Sequence, residues 1–388
     1  MQFKNVSRDV RWLSLGFLLL FFGFNGVQQY ITIYFKNIGH SQVGFVSLIL
    51  VYAAFMGANI LSPVIISHIG ARKTILAVYG VYALYCLALL SGSIILIYIL
   101  SLILGCAAAL LWTGQNSYLI RASAKTVYGE NAGFFGTLFA IGSAFGILLM
   151  GFILPKLGYN MAFILFVAVI VTSLICFLKM SDIRSDQQPK GLTWEAFRSS
   201  TAIRFSMLWL AFNFIQGLVL GTVPLKIQSV ISISAVGPLI AIFYIMPMLF
   251  SYLTGKKSDM TGRRIWIYLM LILSVIGLFL IMFGTKPLIL IIGVVVLACN
   301  FGISRTIAFA LVGDVTDEKN TEAFSALVWA IQAGSTLLAL VLSTLLRDNN
   351  LYIVGIIIVV ITILPVLPLL RLPLEVIRNR ITKETIKS

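Results

Sequence analysis

The sequence predicts an all-α membrane protein: twelve transmembrane helices arranged as two pseudo-symmetric six-helix bundles. Three observations lead there. Of 388 residues, 60% are hydrophobic and only 11% charged, too few charges to clothe the surface of a soluble protein of that size. The apolar residues fall in runs of about 20, the length an α-helix needs to cross the hydrocarbon core. The two halves also repeat their polar landmarks at nearly constant spacing.

Read for length, the runs lie near 12–35, 43–66, 74–91, 94–120, 131–154 and 160–179, then near 203–229, 233–254, 264–284, 287–312, 322–346 and 351–371. The first of them is too long for a signal-peptide core and lacks a small-residue cleavage site. Between the sixth and seventh runs, the Asp, Gln, Pro and Lys content of 181–200 marks a linker. Within it Trp194–Arg198 can form a short surface helix with Trp194 at the interface. The expected domains are residues 1–180, a cytoplasmic linker 181–202, and 203–388 with a short basic tail.

Lys and Arg set the orientation. With the N-terminus inside, the inner segments hold 22 of the 28 basic residues and the outer loops hold five: Lys36, Lys156, Lys226, Lys286 and Arg347. This bias places both termini in the cytoplasm, with the plasma membrane as the expected location. The net charge of +15 therefore reflects topology, and no nucleic-acid partner is expected. Cys86, Cys106, Cys176 and Cys299 all lie in apolar runs without metal-site spacing, and no disulfide framework is implied.

The repeat is visible in three places. Phe24-Asn25-Gly-Val-Gln28 recurs as Phe212-Asn213-Phe-Ile-Gln216. Ile69-Gly70-Ala71-Arg72-Lys73 recurs as Thr261-Gly262-Arg263-Arg264, and Glu130 as Glu322. The offsets are 188, 192 and 192 residues. Around the second landmark the sequence reads Gly255-Lys-Lys-Ser-Asp259-Met-Thr-Gly262-Arg263-Arg264. Asp259 stands before the run that starts near Ile265, where a carboxylate caps a helix N-terminus. Gly262 suits a tight turn, and Arg263 can return to Asp259 or reach lipid headgroups. The first-half loop has Ser67 in the place of Asp259.

This G-x-x-x-D-x-x-G-R-R between two spans resembles the loop signature of the major facilitator superfamily. Span 4 adds a narrower resemblance. Gly105-Cys-Ala-Ala-Ala-Leu-Leu-Trp112-Thr-Gly-Gln115-Asn-Ser-Tyr118-Leu is similar to the signature of the uncoordinated-93-like branch, as are Gly16–Phe21, Gly26, Gln28 and the loop 69–74. The superfamily resemblance implies that spans 1, 4, 7 and 10 line a central cavity. It further implies that Asp259, Gly262 and Arg263, with Asp314 at the inner end of span 10, act as a gating latch. The branch resemblance implies either transport or a role as a scaffold or ion-channel regulator. Short outer loops and a brief tail favour transport.

Polar residues inside the spans are the candidates for solute contact, because hydrocarbon penalises them unless they meet a partner or a cavity. Asn25, Gln28, Gln29 and Thr32 follow i, i+3, i+4, i+7 and so share one face of a continuous helix. Span 4 offers Trp112, Gln115 and Asn116, span 7 offers Asn213 and Gln216, and span 11 offers Gln332 beside Ser325, Trp329 and Ser335. For each, interhelical hydrogen bonding is the alternative role. Gly133, Gly136, Gly142 and Gly146 read as a close-packing stripe. Arg305 is the one cation within a span. A salt bridge to Asp314, snorkelling, or an anionic substrate can each offset its cost.

Every Asp and Glu lies in a terminus, a loop or at a span end, so no mid-membrane proton relay is expected. With no nucleophile–base pair, phosphate-binding Gly loop or His/Cys cluster, neither enzyme activity nor a cofactor is expected. The expected partners are the bilayer and a small solute, with the chain acting as a monomer.

Overall fold

A computed structural model describes residues 6–59, 61–123, 128–183, 199–315, 321–346 and 348–372. No strand occurs among the described residues. The chain forms two compact units, Met1–Gly191 with Ile233–Tyr244, and Leu192–Ser232 with Ile245–Ser388. The linker's Trp194–Arg198 segment and the tail beyond 372 lie outside the described residues.

In the first unit, two predicted runs are each divided. Run 1 becomes α1 (Arg8–Gln28) and α2 (Ile31–Asn37), and run 2 becomes α3 (Ser41–Ala58) and α4 (Ser62–Ile69). Ser7 starts α1 by accepting a hydrogen bond from the Val10 amide at 3.3 Å, the usual capping geometry. The break between α1 and α2 corrects the single polar face expected of Asn25, Gln28, Gln29 and Thr32. Gln29 caps α1, Tyr30 leaves helical geometry at φ −103°, ψ 3°, and Thr32 belongs to the next helix. The break between α3 and α4 has a simpler cause: Pro63 sits in the first turn of α4 and cannot donate to the preceding turn.

Helices α5 (Ala71–Ala88) and α6 (Ile94–Arg121) follow the sequence expectation. Ser93 caps α6 through the Leu96 amide at 3.3 Å. Runs 5 and 6 then form α7 (Tyr128–Leu178), continuous but for a kink where Gly158 takes φ 70°, ψ 174°.

Beyond the linker come α8 (Ser200–Val230), α9 (Ile233–Thr261), α10 (Arg263–Met282), α11 (Pro287–Val315), α12 (Thr321–Leu345) and α13 (Asp348–Ile363). Pro365 and Pro368 turn the end of run 12 into two short 3-10 turns, Leu364–Val366 and Leu369–Arg371.

Among the described residues, nine stretches are long and apolar enough to cross a membrane. One of them, Asn131–Leu178, has 48 residues and covers two predicted runs. Helices α5 and α9 carry the remaining two. Arg72 and Lys73 at the start of α5 lower its mean hydropathy, and within α9 the described residues give an apolar stretch of Ile233–Pro247.

The first unit is built around α1, which is bedded against both halves of α7. Small residues let the backbones approach, as membrane helices require when solvent supplies no hydrophobic drive. Gly16 meets Phe177, Gly23 meets Ile170, and Gly26 meets Phe166. From the other side, Gly142 lies against the Leu18 backbone and Gly146 against that of Phe22. Gly133 and Gly136 have nothing within 4 Å, so only half of the expected stripe is a packing surface.

In the second unit α8 packs most extensively on α12, and α10 on α11. Here Gly217 meets Ala339 and Thr336, and Gly277 meets Leu297. Buried polar pairs fasten each unit internally. Ser47 bonds Tyr85 at 2.6 Å and Ser101 at 2.9 Å in the first, and Asn300 donates to Ser274 at 2.8 Å in the second.

The loop motif needs one correction. Helix α9 continues through Thr261, so Asp259 lies in its last turn and does not cap α10. Gly262 holds the cap position, with no side-chain capping bond. Arg263 donates to Ser258 across the bend. The side chains of Asp259 and Asp314 lie outside the described residues.

Gly262 has φ 82°, ψ 155°, and Gly70, its partner in the repeat, has φ 92°, ψ 144°. Both dihedral pairs fall in a region open essentially to glycine alone, where another residue costs roughly 1–3 kcal/mol. Neither position has an atom within 4 Å of an added Cβ, so the whole cost is backbone strain. Gly70→Ala and Gly262→Ala should therefore lower thermal stability by similar amounts. A substitution that leaves the melting temperature unchanged would show that its loop adopts another conformation.

Candidate functional site

In the first unit, polar groups from several helices converge beside an aromatic cluster. Asn25 on α1 is buried, and its Nδ2 donates to Ser143 Oγ on α7 at 2.9 Å and lies 3.5 Å from Tyr244 Oη on α9. Tyr52 on α3 lies within electrostatic range of Tyr244 and of Tyr82 on α5. Tyr82 is 1% exposed, and its hydroxyl has no hydrogen-bond partner. Interhelical hydrogen bonds in membranes average about 0.6 kcal/mol, whereas an unsatisfied buried polar group costs about 1–3 kcal/mol. The Tyr82 hydroxyl is thus a local deficit, one of several in the first unit together with Tyr30 Oη, Asn59 Nδ2 and Asn131 Oδ1.

The rings beside these groups meet edge to face, apart from the tilted pair Phe21–Trp112. Trp112 on α6 lies 5.2 Å from Phe21 and 5.3 Å from Phe139 between centroids, and Phe24 lies 4.7 Å from Tyr82 at 81°. Phe21 joins the two groups through Tyr82 at 5.8 Å. Trp112, Phe139, Tyr52 and Tyr244 are half-buried, so the cluster keeps an accessible side. Of the sequence candidates here, Asn25 and Trp112 therefore belong to one neighbourhood. Gln28 and Gln29 are buried at the α1–α2 break, Gln115 is buried, and Asn116 is half-buried. The sequence reading missed Tyr52, Tyr82, Ser143 and Tyr244.

The second-unit candidates behave differently. Asn213 is fully buried and donates to the Trp209 carbonyl one turn back at 2.8 Å, while its Oδ1 is unsatisfied. It does not link helices through its side chain as Asn25 does. Gln216 and Gln332 are half-buried. Nearby, Ser335 and Thr336 of α12 donate to the carbonyls of Leu210 and Asn213. Arg305 is exposed on α11 and already has an interaction partner. Because α11 runs on to Val315, Arg305 stands ten residues from the helix end, about 15 Å at the helical rise.

A family model described as Major Facilitator Superfamily matches residues 59–237 and again 214–387, most of the chain. The chain belongs to the major facilitator superfamily. It is a multi-pass membrane protein of a transporter family.

Within that superfamily it is similar to UNC93-like proteins. It is 29% identical over 137 residues to UNC93-like protein MFSD11 of Xenopus tropicalis, covering 34% of this chain and 31% of the relative. It is 30% identical over 132 residues to UNC93-like protein 3 of Arabidopsis thaliana (34% and 27%). With protein unc-93 homolog A of Xenopus laevis it shares 31% over 150 residues (36% and 32%). The matches span about a third of the length of these relatives.

The fold is shared more widely than the sequence. The nucleoside transporter NupG superposes with a TM-score of 0.74 at 13% identity, covering 94% of this chain and all of NupG. A POT family transporter in complex with 5-aminolevulinic acid gives 0.77 at 14%, covering 95% and 98%.

One end of this superfamily member's first unit carries a second polar cluster that the sequence did not reveal. Asp9 Oδ1 accepts from Tyr118 Oη at 3.0 Å and from the Ser181 amide at 2.7 Å. Tyr118 Oη also lies 2.9 Å from the Ser181 carbonyl. Ser7 Oγ donates to the Ala122 carbonyl, and Arg72 to that of Leu178. The start of α1, the end of α6 and the end of α7 are tied at one place.

Proposed function

We propose that the chain is a secondary transporter that moves a small solute by alternating access between two six-helix halves of a twelve-span fold. The halves would be residues 1–180 and 203–388, joined by the linker 181–202, with both termini cytoplasmic and the protein in the plasma membrane. In this reading Asn25, Gln28, Gln29, Trp112, Gln115, Asn116, Asn213, Gln216 and Gln332 contact solute. Asp259, Gly262, Arg263 and Asp314 bias one closure, and no catalytic step or cofactor is involved. Arg305 is the weaker member of the set, because it already has an interaction partner.

The observation that carries the reading is the Asn25 amide. It sits in a helix of long apolar run, yet it bonds Ser143 and approaches Tyr244, so polar groups of three helices meet where hydrocarbon would exclude them. Such a convergence is what a midplane solute site requires.

The test is solute exchange by purified protein in proteoliposomes, screened across neutral, anionic and cationic solutes. Exchange is expected without an imposed proton gradient, and Asn25→Ala should reduce it at least tenfold while the protein still folds. Strict dependence on an inward proton gradient, lost on neutralising Glu130, Asp314 or Glu322, would assign the coupling to an acid at a span end.

A second reading is a non-transporting scaffold or ion-channel regulator, and the similarity to UNC93-like relatives favours it. It predicts no exchange for any solute by the purified chain, and an effect of the chain on a co-reconstituted channel.

A further inference from the structure

The cluster around Asn25 and Tyr82 has a chemistry that narrows the solute. Its polar groups are all uncharged: the Asn25 amide, the Ser143 hydroxyl and the phenols of Tyr52, Tyr82 and Tyr244. Its apolar wall is aromatic, from Phe21, Phe24, Trp112 and Phe139. An ion bound here would leave water with no opposite charge to meet it, and that desolvation cost is large. Ring faces attract a cation, but they recover only part of the cost. A neutral solute avoids the penalty altogether.

The rings argue for shape. Trp112 and Phe139 meet at an interplanar angle of 80°, as do Phe24 and Tyr82 at 81°. Edge-to-face pairs of this kind accept a further ring at favourable offset or perpendicular angles. A flat aromatic solute would gain that contact on the half-buried Trp112 and Phe139, whereas a puckered polyol would not.

The decisive group is Tyr82. Its hydroxyl is buried and unsatisfied, and its ring packs against Phe21 and Phe24. A phenol is a donor that needs an acceptor, such as a ring nitrogen or carbonyl oxygen. A solute that supplies one removes an existing deficit as it binds, and an analogue lacking it gains nothing there.

We infer that this site takes an uncharged, planar aromatic solute bearing a hydrogen-bond acceptor, which Tyr82 meets with its hydroxyl. The inference rests on the transport reading for its setting and deepens it by naming the solute class.

The test uses the full chain in lipid nanodiscs with five probes. Adenosine and uracil are neutral and present a planar base with acceptors; glucose is neutral but has no planar ring; indole-3-acetate is an anion; tryptamine is a cation. Binding is read as a rise in melting temperature, since a ligand that binds only the folded state stabilises it, and as a change in tryptophan fluorescence. Adenosine or uracil should bind saturably and at least tenfold more tightly than the other three. Trp112→Phe should abolish the fluorescence change. Tyr82→Phe should weaken binding tenfold or more without lowering the melting temperature of the solute-free protein, because the hydroxyl it removes has no partner.

Binding of glucose, indole-3-acetate or tryptamine as tight as that of adenosine and uracil would overturn the inference. So would indifference of adenosine and uracil binding to Tyr82→Phe, or no binding of either at millimolar concentration. Exchange assays on the same preparation separate this inference from the transport reading. Tyr82-dependent binding with no exchange keeps the solute class and rejects transport. Exchange of only a charged solute keeps transport and rejects the class.

Discussion

Gly146→Leu should abolish recoverable folded protein, while Gly136→Leu in the same helix should be tolerated. A Cβ at position 146 would fall against the carbonyl oxygen, carbonyl carbon and Cα of Phe22 on α1. These are backbone atoms, so no rotamer change can relieve the clash and one helix must move. Overpacking that a core can absorb costs about 1–3 kcal/mol, and more when the backbone has to shift. Here α1 also meets the other half of α7 through Gly16, Gly23 and Gly26, where the rings of Phe177 and Phe166 and the side chain of Ile170 close the space. It has no free direction in which to retreat. Gly136 is exposed and has nothing within 4 Å of an added Cβ, so a larger side chain there starts in open space. Size-exclusion yield in detergent and the melting temperature measure both variants. Equal yield and melting for Gly146→Leu and wild type would mean that α1 and α7 do not cross at this point.

That contrast also shows how far the sequence could be read. The spans were legible because a bilayer demands about 20 apolar residues whatever the fold, and each predicted run coincides with one helix, a broken pair or part of α7. Within span 5, however, glycine spacing could not say which glycines meet a neighbour, since that depends on where α1 crosses. The break at Gln29–Tyr30 was hidden for a related reason: no Gly or Pro marks it, so the polar spacing from Asn25 to Thr32 looked like one face. Asp259 was misplaced because it precedes an apolar run, while α9 continues two residues beyond it and leaves the cap to Gly262.

The candidate site was only partly visible. Asn25 stood out because an amide is conspicuous in an apolar helix. Tyr52, Tyr82 and Tyr244 did not, since each ring reads as hydrophobic and its hydroxyl matters only once neighbours are known. Ser143 was masked in the same way, because a serine in a membrane helix can satisfy itself on its own backbone.

Asp9→Ala should destabilise the first unit by about 1–3 kcal/mol, and Tyr118→Phe should cost nearly as much. Asp9 Oδ1 takes two bonds, from Tyr118 at 3.0 Å and from the Ser181 amide at 2.7 Å. Bonds to a charged acceptor contribute roughly 1.5–3 kcal/mol each, more than neutral ones. Removing the carboxylate also leaves the fully buried Tyr118 with only the Ser181 carbonyl at 2.9 Å. The partners are 109 and 172 residues apart in sequence, so the cluster joins the first helix of the unit to the segment just beyond α7. Because both substitutions break the Asp9–Tyr118 bond, the double variant should cost clearly less than the sum of the two singles. Groups in contact show such coupling, with interaction energies of about 0.5–3 kcal/mol, whereas distant sites add. Additive losses in the double variant would mean that Asp9 and Tyr118 act independently.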